Sequence, residues 1–125
     1  GGARGSYVTG SGAVYSTLSD VTLTADFAKA SVSGAASNFY VTDSTGAAAF
    51  APKELGFTFT GAIENNRVYG PRFDGAATGA TMSGTVSGAF YGESGQAPAE
   101  VGMSYKLTDT AGGVLVGVSG LKRNP

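Results

Sequence analysis

Chemistry in this chain has to be done with carboxylates, hydroxyls and amines, because it contains no His and no Cys. That removes thiol nucleophiles and the commonest metal ligands. A serine nucleophile would need lysine as its base. Glu93 and Glu100 are the carboxylates nearest to an acid–base pair, yet both flank a turn, where charges stay solvated. Asp43-Ser44-Thr45-Gly46 and Asp109-Thr110-Ala111-Gly112 resemble fragments of oxygen-ligand loops without the full calcium spacing. Turn formation accounts for both. Gly10-Ser11-Gly12 lacks the third glycine and the following helix of a phosphate loop. The expectation is a protein that is not an enzyme and holds no metal.

The elements that position these groups are strands. From Thr81 to Leu107, Met82, Val86 and Phe90 share a face with Gly84 and Gly88, against Thr81, Ser83, Thr85 and Ser87. Val101, Met103, Tyr105 and Leu107 alternate with Gly102, Ser104 and Lys106. A period of two with one apolar side marks half-buried strands, and Gly92 to Pro98 turns the chain between them.

The same stretch carries a family resemblance. Gly88-Ala89-Phe90-Tyr91-Gly92, a short loop, then Ala99-Glu100-Val101-Gly102 resembles the signature of the transferrin-binding-protein-like β-barrel of Gram-negative surface lipoproteins. Transferrin-binding protein B and factor H binding protein carry barrels of this type. Met103 stands where that family has a second glycine. Val118-Ser119-Gly120-Leu121-Lys122-Arg123 is similar to its closing strand. The barrel hosts many partners, so the resemblance implies fold more firmly than function.

The rest of the chain has the same rhythm. A first strand is expected to begin near Arg4, broken or bulged at Gly10 and Gly12 and resuming through Ala13 to Leu18, with residues 4 to 18 counted as one strand. Val21–Ala28, with Leu23, Ala25 and Phe27 inward, pairs with Ala30–Ser37. Asn38 to Glu54 breaks the pattern, with an edge strand at Phe39–Thr42 or a short helical turn as alternatives. Leu55–Ile63 and Arg67–Gly75 follow, with Pro71 removing a ladder donor and predicting a bulge or frayed pairing. Val114, Val116 and Val118 alternate to the end. This makes a single all-β domain over residues 1–125, an eight-stranded antiparallel up-and-down β-barrel. Its exterior is expected to suit water, and an interior of Leu23, Phe27, Phe57, Phe59, Ile63, Phe73, Met82, Val86, Phe90, Met103, Tyr105, Leu107 and Val116 to fill it.

Composition narrows the partners. Twenty-one glycines and only 14% charged residues fit tight turns and small side chains. A net charge of −1 without a basic stripe excludes nucleic acid. Membrane contact would come only through an upstream lipid anchor. Loops carry function on rigid scaffolds, which singles out Phe39, Tyr40 and Phe50, Tyr69, and Glu93 and Gln96 as partner-binding candidates. Phe39, Tyr40 and Phe50 have a second reading, as plugs of one barrel mouth. Haem is the cofactor the resemblance raises. Without His, its axial ligand would be Tyr or Met, with Tyr40 and Tyr69 best placed. The resemblance implies a monomer on the outer-membrane surface, in the periplasm or secreted. It would bind a host or environmental protein, with iron or haem acquisition as one setting. The alternative is a structural subunit of a surface layer, fibre or adhesive assembly.

Overall fold

The computed structural model describes residues 1–49, 55–66, 70–91 and 100–122, and the described residues form strands and turns. The strands are β1 (Gly2–Val8), β2 (Val14–Asp26), β3 (Ser31–Thr42), the short β4 (Ala48–Ala49), β5 (Phe57–Asn66), β6 (Gly70–Gly79), β7 (Met82–Tyr91), β8 (Glu100–Asp109) and β9 (Val114–Lys122). Neighbours run β2-β1-β9-β8-β7-β6-β5-β3, and β2 also pairs with β3, which closes a ring of eight. β4 hangs on the outer end of β3, beside Val41 and Thr42. Every pairing is antiparallel. The expected up-and-down barrel is the fold.

Its strands are cut differently at the start. Residues 4 to 18 are not one strand. Thr9 to Ala13 is a tight turn, and β2 runs on from Val14 to Asp26. β3 extends beyond Ser37 because Asn38 takes a left-handed φ of 55°. Two residues, Asn38 and Phe39, then face the single Ser19 between Asp20↔Ser37 and Leu18↔Tyr40. This is a β-bulge, and the Asn38 amide donates to Asp20 Oδ2 at 2.9 Å. Phe39–Thr42 is therefore the end of β3, not an added edge strand. Pro71 produces no bulge: it pairs in register with Asn65 on β5, while the ladder to β7 starts only at Arg72.

The interior is filled by rings. Tyr7, Phe57, Phe59, Phe73, Phe90 and Tyr105 are buried with Met82, Val86, Met103, Leu107 and Leu115. An eight-stranded barrel leaves little room, so the largest rings lie across glycines on the next strand. Phe59 pairs in register with Gly34, Phe73 with Gly88, and Tyr105 with Gly117. In each case an added Cβ on the glycine would run into the facing ring. Two expected interior residues lie elsewhere. Phe27 sits at the turn after β2, 45% exposed, where its ring meets Phe90 edge-on at 5.0 Å. It caps the end of the barrel instead of filling it. Val116 faces outward and Leu115 takes the inward place. The turn decides this: the β8–β9 register sets Val114 opposite the outward Thr108, so odd-numbered residues of β9 point inward.

Three turns at one end share a geometry. Thr9–Ala13, Asp43–Ala47 and Asp109–Gly113 each close with a pair of backbone hydrogen bonds between first and last residue or first and fourth. The fourth residue is glycine at φ 96°, 86° and 88°, the left-handed position of a three-residue hairpin loop. The opposite end holds the Phe27–Ala30 turn and the β7 and β8 ends at Tyr91 and Glu100.

Gly117→Ala is expected to destabilise the fold by about 1–3 kcal/mol through overpacking against Tyr105. Combining it with Tyr105→Leu is expected to recover part of that loss. Urea melts of both singles and the double give the coupling; strictly additive losses would mean the ring does not depend on Gly117.

Candidate binding surface

The sequence-predicted residues are not gathered at one place. Phe39 is the second residue of the β3 bulge and Tyr40 follows it, and the two point to opposite sides. Phe39 is half-buried against the core, its ring 6.4 Å from Phe57. Tyr40 stands on the outer wall opposite Leu18, 54% exposed. Phe50, Tyr69, Glu93 and Gln96 lie outside the described residues. β3 runs out at the end with the three alike turns, whereas β7 leaves and β8 enters at the other.

The outer wall itself is divided. On β5 to β8 the outward residues include Thr58, Thr60, Glu64, Arg72, Asp74, Thr85 and Lys106, all exposed. A wall with that many charges is built for water, since such groups facing lipid are costly. From β9 through β1 and β2 to β3 the outward residues turn apolar. One cross-strand row reads Val118, Arg4, Leu18, Tyr40, and another reads Val114, Val8, Val14. Val118 is 62% exposed, Val14 52% and Leu18 50%. Val116 lies between the rows, opposite Ser6. An open groove of about 680 Å3 runs below Arg4, Leu18 and Val118, floored by Gly2 and Gly120. These two exposed apolar rows, with Arg4 within the first and Ser6, Ser16 and Thr42 between them, make this sector the candidate contact surface. Sequence reading missed it because Val116 was placed inside. The buried Leu115 and Leu121 at odd positions of β9 were the signal that reverses that register.

The family model for the C-lobe and N-lobe β-barrels of Tf-binding protein B matches residues 3–123. The chain belongs to that family. No curated protein matches it, and no solved structure does.

The Tf-binding-protein-type barrel explains its own motif. Gly88 leaves room for the Phe73 ring. Phe90 packs inside between Phe73, at 5.5 Å, and Phe27. Tyr91 points outward and lays its ring over Gly102, with Cε2 3.4 Å from where a Cβ would stand. These motif residues shape the sheet.

The chemically suggestive groups are engaged in the barrel's own structure. Asp43 Oδ1 accepts from the Thr45 hydroxyl at 2.6 Å and from the Thr45 and Ala47 N–H groups. The Thr45 hydroxyl, then its N–H, holds this carboxyl below the usual carboxylate range. Asp109 Oδ1 accepts from the Ala111 and Gly113 N–H groups, and its Oδ2 from the buried Tyr7 phenol at 2.9 Å. Both loops use their carboxylate to bind their own turn. Glu100 is exposed in register with Lys122. Ser119-Gly120-Leu121-Lys122 has serine and lysine at a spacing seen in hydrolase dyads, but the strand points them to opposite faces. Ser119 is buried and donates to the Gly2 carbonyl at 2.7 Å, while Lys122 is outside. Among the described residues no three His, Cys, Asp or Glu cluster for a metal.

Two tyrosines hold their protons tightly. Burial, then the hydrogen bond to Asp109 and the charge of that carboxylate, pushes Tyr7 up to about 12. Burial also raises Tyr105, with the nearby Ser19 and Thr17 hydroxyls pulling weakly the other way. Those three hydroxyls stand close together, yet none makes a hydrogen bond of full geometry, so burial wins. Neither phenol suits a haem iron, and Met82 and Met103 are buried. Among the described residues, an axial ligand would fall to Tyr15, Tyr40 or Tyr91.

A raised phenol favours the protonated folded state, so its stabilisation is whole below the ordinary value of 10 and is lost as pH climbs to about 12. Urea melts across that window are expected to show falling stability, and Tyr7→Phe to flatten part of the fall. An unchanged slope in the variant would remove Tyr7 as the cause.

Proposed function

We propose that this chain is a non-catalytic binding barrel, displayed on a Gram-negative outer membrane or exported beyond it, that recognises a host or environmental protein. The apolar sector on β9, β1, β2 and β3 carries this reading: a closed barrel whose interior is filled by its own rings has only its outside to offer. Membership of the Tf-binding-protein barrel family supports it and makes transferrin the first protein to try, with iron or haem acquisition as the setting. Tyr40, exposed beside Leu18, is the sequence-predicted residue that belongs to this sector.

A second reading, a structural subunit of a surface layer, fibre or adhesive assembly, draws on the same sector, since self-association would also cover it. Light scattering separates the two: a binding barrel stays monomeric as its concentration rises, and an assembly subunit does not.

Surface plasmon resonance against iron-loaded and iron-free transferrin, with a parallel haemin titration, tests the proposal. The expected result is saturable one-to-one protein binding that Tyr40→Ala weakens by about tenfold, in the range of an aromatic interface anchor. Binding of haemin alone, with a Soret shift that Tyr40→Phe abolishes, would move the role from protein to haem capture. Neither ligand binding would remove iron acquisition as the setting.

A further inference from the structure

Resting on that reading, we propose that the apolar sector is a docking face for a protein segment that carries a carboxylate among aliphatic or aromatic side chains, with Arg4 as its receiving group. The charge pattern is the argument. Arg4 projects from the middle of the sector, in register with Val118 on one side and Leu18 on the other. Lys106 stands at its edge, in register with Val116. Neither cation makes a hydrogen bond or ion pair among the described residues. The outward partners in these rows are Ser6, Ser16, Thr42, Ser104 and Thr108, so no carboxylate stands within them. The nearest, Asp20, lies one row away and accepts from the Asn38 amide.

A partner that covers Leu18, Val118 and Tyr40 strips water from the guanidinium between them. An unpaired cation so covered would oppose docking, whereas a carboxylate receives its planar donors in a charge-assisted, two-pronged contact. The groove floored by Gly2 and Gly120 opens beside Arg4. It gives an apolar side chain next to that carboxylate a place to enter. A second copy of this chain is the poorer occupant. A two-fold interface centred on this sector would set Arg4 against Arg4.

The test is selection of random twelve-residue peptides, displayed on phage, against the immobilised native chain. Enriched peptides are then measured in solution against native protein, Arg4→Gln, Arg4→Lys and Val118→Lys. Both Arg4 and Val118 are exposed, and circular dichroism checks that each variant keeps its fold. The expected result is an Asp or Glu flanked by apolar residues in the enriched set. Arg4→Gln and Val118→Lys should each lose about tenfold or more in affinity, and Arg4→Lys less. Replacing the peptide's acid by its amide should cost the native protein a similar factor and Arg4→Gln little. Enriched peptides without an acid, equal binding to Arg4→Gln, or no enrichment above background would each overturn the inference. So would a reversible dimer that Arg4→Gln strengthens, or binding to phosphatidylcholine–phosphatidylglycerol vesicles that Val118→Lys abolishes. A protein partner that binds this chain and is indifferent to Arg4 and Val118 overturns the docking face while leaving the proposed binding function in place.

Discussion

Everything in this barrel depends on how a small ring of strands accommodates large aromatic side chains. Eight strands enclose a lumen that side chains only just fill, and the chain puts Phe57, Phe59, Phe73, Phe90, Tyr7 and Tyr105 into it. The solution is local. The far end of a ring on one strand reaches over a glycine on the next, as Phe59 does over Gly34, Phe73 over Gly88 and Tyr105 over Gly117. Each such glycine has a partner and a register. The high glycine content is therefore a packing code, and it couples interior composition to strand alignment.

That alignment also decides what faces outward. A one-residue slip moves a strand's whole side-chain set to the other face. On β9 the Asp109–Gly113 turn fixes the register, with the Asp109 carboxylate accepting from two N–H groups of its own loop and from Tyr7. The result places Leu115, Ser119 and Leu121 inside and Val116 and Val118 outside. The outward apolar sector is thus set by a turn at the end of the barrel, several residues away from the valines it exposes.

Much of the fold was legible in the sequence. The alternation in β5, β7 and β8 is clean because one face of each carries large apolar residues and the other Thr, Ser and Lys. The family resemblance rested on Gly88 to Gly102, where spacing and ring–glycine packing coincide. Two features were hidden. The Thr9–Ala13 hairpin looks like a broken or bulged strand because Gly10 and Gly12 suit each reading, and the pairing of β1 with β2 distinguishes them. The outer sector was concealed because Val114, Val116 and Val118 alternate as a core face would, and alternation alone carries no sign. Arg4 drew no notice since nothing beside it in sequence shows that Val118 flanks it in space.

The apolar sector straddles the seam where the first and last strands of the ring meet. Ser119 and Gly2, which join hands across it, are 117 residues apart in the chain. Such a pairing closes a long loop, which costs more chain entropy than the neighbouring hairpins do. Arg4, Leu18 and Tyr40 are lined up by the β1–β2 and β2–β3 hairpins, and Val118 joins their row only when the ring shuts. The complete face is thus a property of the closed state. A barrel unzipped along this seam would keep Arg4, Leu18 and Tyr40 in line but lose Val118 from beside them.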